Sequence, residues 1–387
     1  MSCLRLTDGG NYSVNTVLLP PLIPECIENC FVDFSPAAGK FVRNLENALI
    51  KNDREVIGFA YITNSIVKEK EYMLHDNNIP ARYHIYEATN KLAFFKFQNE
   101  LVEHVDKDTI VILYNMGYPY FSLIDKVKRK GGSACVLIAD YSEISEMQSW
   151  PRKVHAWMCQ REFRKYDNAI VLAHNLEKKL NKNCRTLFVP GGIDLEKFRL
   201  MRAPDKRDKL IYMYAGLLST VTGVDILLKA IELCKNNDIE FWFSGKGDLE
   251  KQVKESAKRD SRVKYLGFLS EAEYFPTLEK VNVFINPRNM QLPQNQNNFP
   301  SKVLEYLATG RVVISTKFSE YKYFTNNFTL YDGTQVELSN TIQNVYKKYN
   351  AICGDIFNRN RKTAEEYSWI GQARKIVNMF ESGEDIK

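Results

Sequence analysis

Residues 210–231 read LIYMYAGLLSTVTGVDILLKAI. The apolar, aromatic run Leu210–Ala215 has strand length and stops at Gly216. After Gly223, the residues Val224, Leu227, Leu228 and Ile231 recur three and four apart, the spacing of one helix face. A strand with no polar alternation is covered on both faces, and a strand–glycine turn–helix unit covers it by building a parallel sheet. Working outward, the same alternation spans nearly the whole chain. Strand candidates in the first half are Cys30–Phe34, Glu55–Tyr61, Thr109–Tyr114, Ala134–Ala139, Ala169–Leu172 and Thr186–Val189. In the second half they are Leu210–Ala215, Ile239–Ser244, Val263–Gly267, Val281–Asn286, Arg311–Thr316 and Phe328–Tyr331. Two such sets in succession predict an α/β chain of two doubly wound, Rossmann-like domains facing a cleft. The boundary falls near Val189-Pro190-Gly191-Gly192, which gives domains 1–190 and 191–369.

The 387 residues exceed one ordinary core and suit two. With 44% apolar and 26% charged residues the composition is that of a globular protein, not a disordered one. No run approaches the roughly 18 apolar residues of a membrane span. Met1–Gly10 lacks an apolar secretory core, so a cytoplasmic location is expected. The net charge of +6 is spread over both halves, which argues against a nucleic-acid partner. Lys126, Lys128, Arg129 and Lys130 read as a solvated helix end. The eight cysteines form no CxxC pair and read as small buried hydrophobes in a reducing compartment.

Chemistry concentrates in residues 297–310, Asn-Asn-Phe-Pro-Ser-Lys-Val-Leu-Glu-Tyr-Leu-Ala-Thr-Gly. Asn298 as N-cap and Pro300 in the first turn predict a helix from about Phe299 to Thr309, ended by Gly310. Such a start offers amide donors to a phosphate, with the Lys302 charge added. Glu305, one turn on from Ser301, could accept from a sugar's hydroxyls; a pair of solvated surface residues is the competing reading. Gly216, Gly223 and Gly245-Lys246-Gly247 close or follow further strands, where backbone can approach a ligand.

These segments, together with Tyr265-Leu266-Gly267-Phe268-Leu269, resemble the donor domain of GT-B retaining glycosyltransferases. The likeness is greatest to the group 1 (GT4) family that builds bacterial capsule, exopolysaccharide and O-antigen chains. It is strong over residues 205–375 and weaker over 30–200, in Phe34-Ser-Pro-Ala-Ala-Gly39-Lys40, Asp140 and Val189-Pro-Gly-Gly-Ile-Asp194. Tyr367-Ser368-Trp369 matches the place where the family's last helix crosses back, so 370–387 is expected to return to the first, acceptor-binding domain. The resemblance implies that Glu305 holds the donor ribose and that Ser301, Lys302 and Val303 receive the diphosphate. Gly216 and Gly267-Phe268 lie near the phosphate and base, and Gly39 sits on a loop that closes over the donor. Asp140 stands near the transferred sugar. Lys246, Asn298 and Phe299 complete the donor set, and the catalytic assignment is Asp140, Lys302 and Glu305. Two departures stand out. Asn297 replaces the first glutamate of an E-x7-E motif, and Leu217 and Thr222 replace basic residues that usually face the diphosphate. That charge then falls to Lys302, Lys246, Arg288 or helix ends.

The implied function is a hexosyltransferase-type enzyme taking a nucleotide-diphosphate sugar to a glycan or polyprenyl-diphosphate-linked glycan in cell-surface polysaccharide synthesis. Neither a cofactor nor a metal is expected. Asp106-Lys107-Asp108 looks like a DxD metal motif but precedes its strand, so it reads as a turn. Phe94-Phe95-Lys96-Phe97 reads as a buried helix face, with peripheral contact at the inner membrane face as the alternative. The rival functions are a non-catalytic homologue serving as a partner subunit, favoured by Asn297, Thr222 and Leu217, and a GT-B nucleotide-sugar epimerase.

Overall fold

The computed structural model describes residues 15–31, 36–62, 79–87, 91–115, 117, 120–139, 141, 144, 147–205, 208–296, 299–324 and 326–381. Two compact units emerge: the described residues of Met1–Leu172, Leu176–Val189 and Trp369–Lys387, and those of Ala173–Asn175 and Pro190–Ser368.

The first unit is a seven-stranded parallel sheet in the order β3-β2-β1-β4-β5-β6-β7. Its strands are β1 (Thr16–Leu19), β2 (Glu55–Ile62), β3 (Tyr83–Glu87), β4 (Thr109–Tyr114), β5 (Ser133–Ile138), β6 (Asn168–Val171) and β7 (Arg185–Phe188). Its helices are α1 (Pro36–Ile50), α2 (Lys91–Glu103), α3 (Leu123–Arg129), α4 (Trp150–Phe163) and the last helix of the chain, α11 (Trp369–Glu381). α11 buries Trp369, Ala373, Ile376, Val377 and Met379 in the same core as Val42, Leu45 and Leu49 of α1. The rings of Phe41 and Trp369 meet edge-on at 4.9 Å.

The second unit is a six-stranded parallel sheet in the order β10-β9-β8-β11-β12-β13. The strands are β8 (Leu210–Ala215), β9 (Ile239–Ser244), β10 (Val263–Tyr265), β11 (Val283–Asn286), β12 (Val312–Thr316) and β13 (Thr329–Tyr331). Around them lie α5 (Val224–Leu233), α6 (Glu250–Arg259), α7 (Glu271–Lys280), the single turn α8 (Pro293–Gln296), α9 (Lys302–Ala308) and α10 (Gln335–Glu366). The helical stripe read at 224–231 is the buried face of α5. Local signals start the helices. Ser270 and Glu273 form a capping box on α7, and the Thr334 hydroxyl accepts from the Glu337 N–H on α10. In both sheets the strand order reverses beside the first strand of the unit, so the crevice for a ligand in the second unit lies at the carboxyl ends of β8 and β11.

The α/β reading with two doubly wound sheets therefore stands, with local corrections. β1 and β3 escaped the sequence. β1 has only four residues and runs into Pro20-Pro21, and β3 is a half-exposed edge strand carrying His84 and Glu87. Of the expected strand Cys30–Phe34, Cys30 ends a 3-10 turn over Glu25–Cys30, and 32–34 lie outside the described residues. α9 starts at Lys302, not Phe299, because a residue before proline is pushed out of the helical region. Phe299 instead packs its ring against Phe318 and Phe324. Gly310 does end that helix, at a φ of 73°. The described cysteines are all free, and most are buried. Among the described residues no helix is long and apolar enough to cross a membrane.

Candidate functional site

β8 delivers Tyr214 and Ala215 to the crevice, and buried Tyr306 of α9 fixes that end. Its hydroxyl donates to the Ala215 carbonyl at 3.0 Å and accepts from the Ala215 N–H at 3.2 Å. The Tyr306 ring also stacks on Phe284 of β11 at 4.3 Å. Locking Tyr306 orients the preceding turn of α9, which carries Lys302 and Glu305. The Lys302 ammonium donates to Glu305 Oε2 at 2.8 Å, the Tyr274 hydroxyl donates to the same oxygen at 3.2 Å, and Lys302 lies 5.1 Å from the Tyr274 ring centre. Burial pulls the Lys302 ammonium down, but the pair with Glu305 more than offsets it and holds the group above the ordinary lysine range. Burial, then the Glu305 charge, pushes the Tyr274 phenol well up.

A second cation comes from the loop after β11. Arg288 Nε donates to Asn295 Oδ1 at 2.7 Å, and buried Asn295 donates in turn to the Val221 and Asn289 carbonyls at 2.8 and 2.7 Å. Thr316 of β12 holds the Arg288 carbonyl at 3.0 Å. Burial lowers the Arg288 guanidinium from the usual arginine range. Among the described residues no carboxylate pairs with it. The charges of both cations are felt at Tyr214. Burial raises that phenol to about 12, while a hydrogen bond with Thr222 and then the charges of Arg288 and Lys302 pull against the rise. The crevice is thus positive, well anchored and built to meet an anion.

The glycines also serve the packing of the crevice's own loops. A Cβ on Gly223 would come within 1.8 Å of the Pro287 carbonyl oxygen, and one on Gly245 within 1.8 Å of the Gly216 carbonyl oxygen. These positions let neighbouring loops of the crevice touch each other closely. Gly267, at a φ of 72°, has open space around it and presents the exposed Phe268 ring, over which the Lys246 ammonium sits at 5.2 Å.

Of the other expected site residues, Ser301 and Val303 have their N–H groups already engaged by the Phe299 and Pro300 carbonyls, at 2.9 Å in each case. The tight turn that replaces the missing first turn of helix consumes those two donors. Gly39 lies inside helix α1, not on a loop. Asp140, Asn297 and Asn298 fall outside the described residues. Thr222 is spent locally, donating to the Leu217 carbonyl at 2.6 Å. Asp106 closes a turn, accepting from Thr109 Oγ1 at 2.6 Å and the Asp108 N–H at 2.9 Å. Tyr274 was missed altogether, because nothing in the sequence links it to a residue 31 positions away.

Residues 209–348, which supply most of this crevice, match the family model for group 1 glycosyl transferases. The probable glycosyltransferase WbjE of Pseudomonas aeruginosa is 35% identical over 121 residues, covering 28% of this chain and 30% of WbjE. Among solved structures, HepE of Anabaena in complex with UDP superposes with a TM-score of 0.69 at 13% identity, over 95% of this chain and 100% of that one. The trehalose-6-phosphate phosphatase N-terminal domain of Candida albicans gives 0.70 at 10% identity, over 98% and 99%.

The fold is GT-B.

The matched stretch of this GT-B chain runs from the residue before β8 into α10, so Tyr214, Tyr274, Arg288, Lys302 and Glu305 all lie within it.

Proposed function

We propose that this chain is a retaining group 1 (GT4) glycosyltransferase. It would move a sugar from a nucleotide-diphosphate donor to a glycan or lipid-linked glycan in cell-surface polysaccharide synthesis. The observation that carries the reading is the Lys302–Glu305–Tyr274 cluster together with the anchored Arg288 guanidinium on the loop after β11, in the unit whose sequence matches group 1 glycosyl transferases. The UDP bound by HepE makes a nucleoside diphosphate the first ligand to try.

In this reading the bond between the sugar's anomeric carbon and the terminal phosphate oxygen breaks, and the electron pair stays on the leaving diphosphate. Lys302 keeps two ammonium protons beyond the one given to Glu305, and Arg288 brings a guanidinium, so both stabilise that charge as it develops. They also take the role a metal would otherwise play. Glu305 accepts from the ribose hydroxyls and the Phe268 ring covers the base. Asn297 helps choose the sugar through an uncharged amide, and Asp140 orients sugar or acceptor. The incoming hydroxyl attacks from the leaving-group side, losing its proton to the departing phosphate, which retains configuration.

Titration of the full chain with UDP, GDP, ADP and dTDP tests the reading. At a hundredfold excess over Kd, a true ligand stabilises the fold by about 2.7 kcal/mol. Binding by none of them removes the donor assignment. The local use of Thr222 favours one rival, the non-catalytic partner subunit. Tight nucleotide binding without sugar transfer or donor hydrolysis would establish that rival instead.

A further inference from the structure

The first unit holds a separate concentration of positive charge. A hollow of about 480 Å³ is lined there by the end of α4, the segment 178–182 and Tyr141. Arg164, Lys178, Lys179 and Lys182 bring four cations to its wall, and no aspartate or glutamate lines it. The cations just outside it are neutralised. Lys165 pairs with Glu162 at 2.9 Å and with Asp125 at 3.2 Å, and Lys128 pairs with Asp167 at 2.5 Å. Among the described residues no carboxylate pairs with Arg164, Lys178 or Lys182. Like charges gathered in this way repel one another in the folded chain, and a bound anion relieves that repulsion. The wall is also held in place. The Tyr141 ring lies 6.2 Å from the buried Phe163 ring of α4, and the Lys179 ammonium sits 5.5 Å from the Tyr141 ring centre. Buried Leu176 anchors the turn that carries Lys178 and Lys179. Asn181 Oδ1 accepts from the Asn183 N–H at 3.3 Å, which fixes that amide and leaves its own N–H groups to donate to a ligand.

We propose that this hollow binds an acidic sugar of the acceptor glycan, with the carboxylate of that sugar on Arg164 and the lysines. The acceptor role rests on the glycosyltransferase reading; the binding of an acidic sugar does not. Three features select this class of ligand. The volume is that of a small-molecule site, with room for sugar rings and none for a duplex or a folded partner. A guanidinium matches a planar carboxylate with two parallel N–H donors, while the ammonium groups add charge without fixing direction. The amides of Gln160 and Asn181 both donate and accept, which suits a ligand that carries hydroxyls beside its charge, whereas a bare anion asks for donors alone. None of these residues belongs to the donor set of the second unit, so the hollow would hold the acceptor by a charged residue and take no part in the transfer step. The acceptor is then an anionic glycan, and a neutral chain of the same length is a poor substitute.

Calorimetry of the full chain with tetragalacturonate, neutral maltotetraose and inorganic phosphate tests it. Tetragalacturonate should bind, and should weaken as salt is raised. Maltotetraose should bind far more weakly. Arg164→Ala should raise the tetragalacturonate Kd about tenfold, the low end for a lost charge-assisted hydrogen bond because the side chain is exposed. Arg164→Lys should recover only part of that loss, since the planar fork is gone. Lys178→Glu with Lys182→Glu should abolish binding. Melting curves report the folding of each variant, and the UDP affinity should be unchanged in all of them. That control keeps the two readings apart. UDP binding without tetragalacturonate binding would overturn the hollow and leave the donor site; tetragalacturonate binding without UDP binding would support the sugar site and remove the donor assignment. Equal affinity for maltotetraose, displacement of tetragalacturonate by an equal concentration of inorganic phosphate, or unaltered affinity in the folded variants would each overturn the proposal.

Discussion

Lys302→Ala and Glu305→Ala should damage nucleotide binding in two distinguishable ways. The ion pair they share is 2.8 Å long, yet the two side chains keep 43% and 33% of their surface exposed. A pair so open to solvent contributes no more than about 1 kcal/mol to folding, so both variants should melt close to wild type. Ligand binding is another matter. A charge-assisted hydrogen bond from Lys302 to phosphate, worth about 1.5–3 kcal/mol, corresponds to a rise in the UDP Kd of about 10–150-fold on Lys302→Ala. Uridine, which has no phosphate, should bind that variant unchanged. Glu305→Ala removes the acceptor for the ribose and should weaken uridine and UDP by a similar factor. Calorimetry with uridine, UMP and UDP separates the two patterns. The ammonium pKa adds a constraint: crowding around the ammonium opposes the charge even though the side chain as a whole keeps 43% of its surface exposed, but Glu305 holds the folded-state value above that of the unfolded chain. The contribution is then complete below the unfolded lysine value of about 10.4 and lost only as pH rises through the folded one. From this group the UDP affinity should be flat across neutral pH. Loss of uridine and UDP alike on Lys302→Ala, or unchanged UDP binding in both folded variants, would refute the reasoning.

Arg288→Ala should also raise the UDP Kd by tenfold or more, in the same titrations, and Arg288→Lys should recover only part of it because the planar fork is lost; wild-type affinity in both would take Arg288 out of the site. Tyr306→Phe strips the buried Ala215 carbonyl and N–H of their shared hydroxyl and should lower the unfolding free energy by about 1–3 kcal/mol in a urea titration. An unchanged midpoint would show that the hydroxyl does not lock β8 to α9. Sugar transfer should survive EDTA, since Lys302 and Arg288 supply the charge; activity that disappears and returns with Mn²⁺ would contradict that assignment.

The site was partly legible in the sequence. Lys302 and Glu305 share one turn, so helical spacing alone predicts that they share a face. Arg288 was only one option among several, and Tyr274 was invisible. Both reach the crevice from elements whose convergence depends on strand order, which no local pattern encodes. For the aromatic and basic segment the reading as a buried helix face holds at Phe97. Phe94–Phe97 carries the suggestive composition, but Phe97 is fully buried against Tyr61, Tyr86 and Tyr120, leaving Phe95 as its exposed ring.

Uninterrupted apolar strands alternating with helical stripes were enough, by themselves, to determine a parallel α/β chain with two sheets, because burial on both faces leaves no other arrangement for such strands. Helix starts at Ser270 and Thr334 and the stop at Gly310 are likewise local, set by a side chain or a φ angle within one turn. Tertiary structure alone decided the order β10-β9-β8-β11-β12-β13 and with it the meeting of Tyr214, Tyr274, Arg288, Lys302 and Glu305. It also decided that Gly223 and Gly245 serve loop-to-loop contact. The physical reason is the same in each case. Propensity and capping act over a few residues, whereas a binding site is made of electrostatic and packing contacts between segments that are neighbours only once the sheet has closed its order.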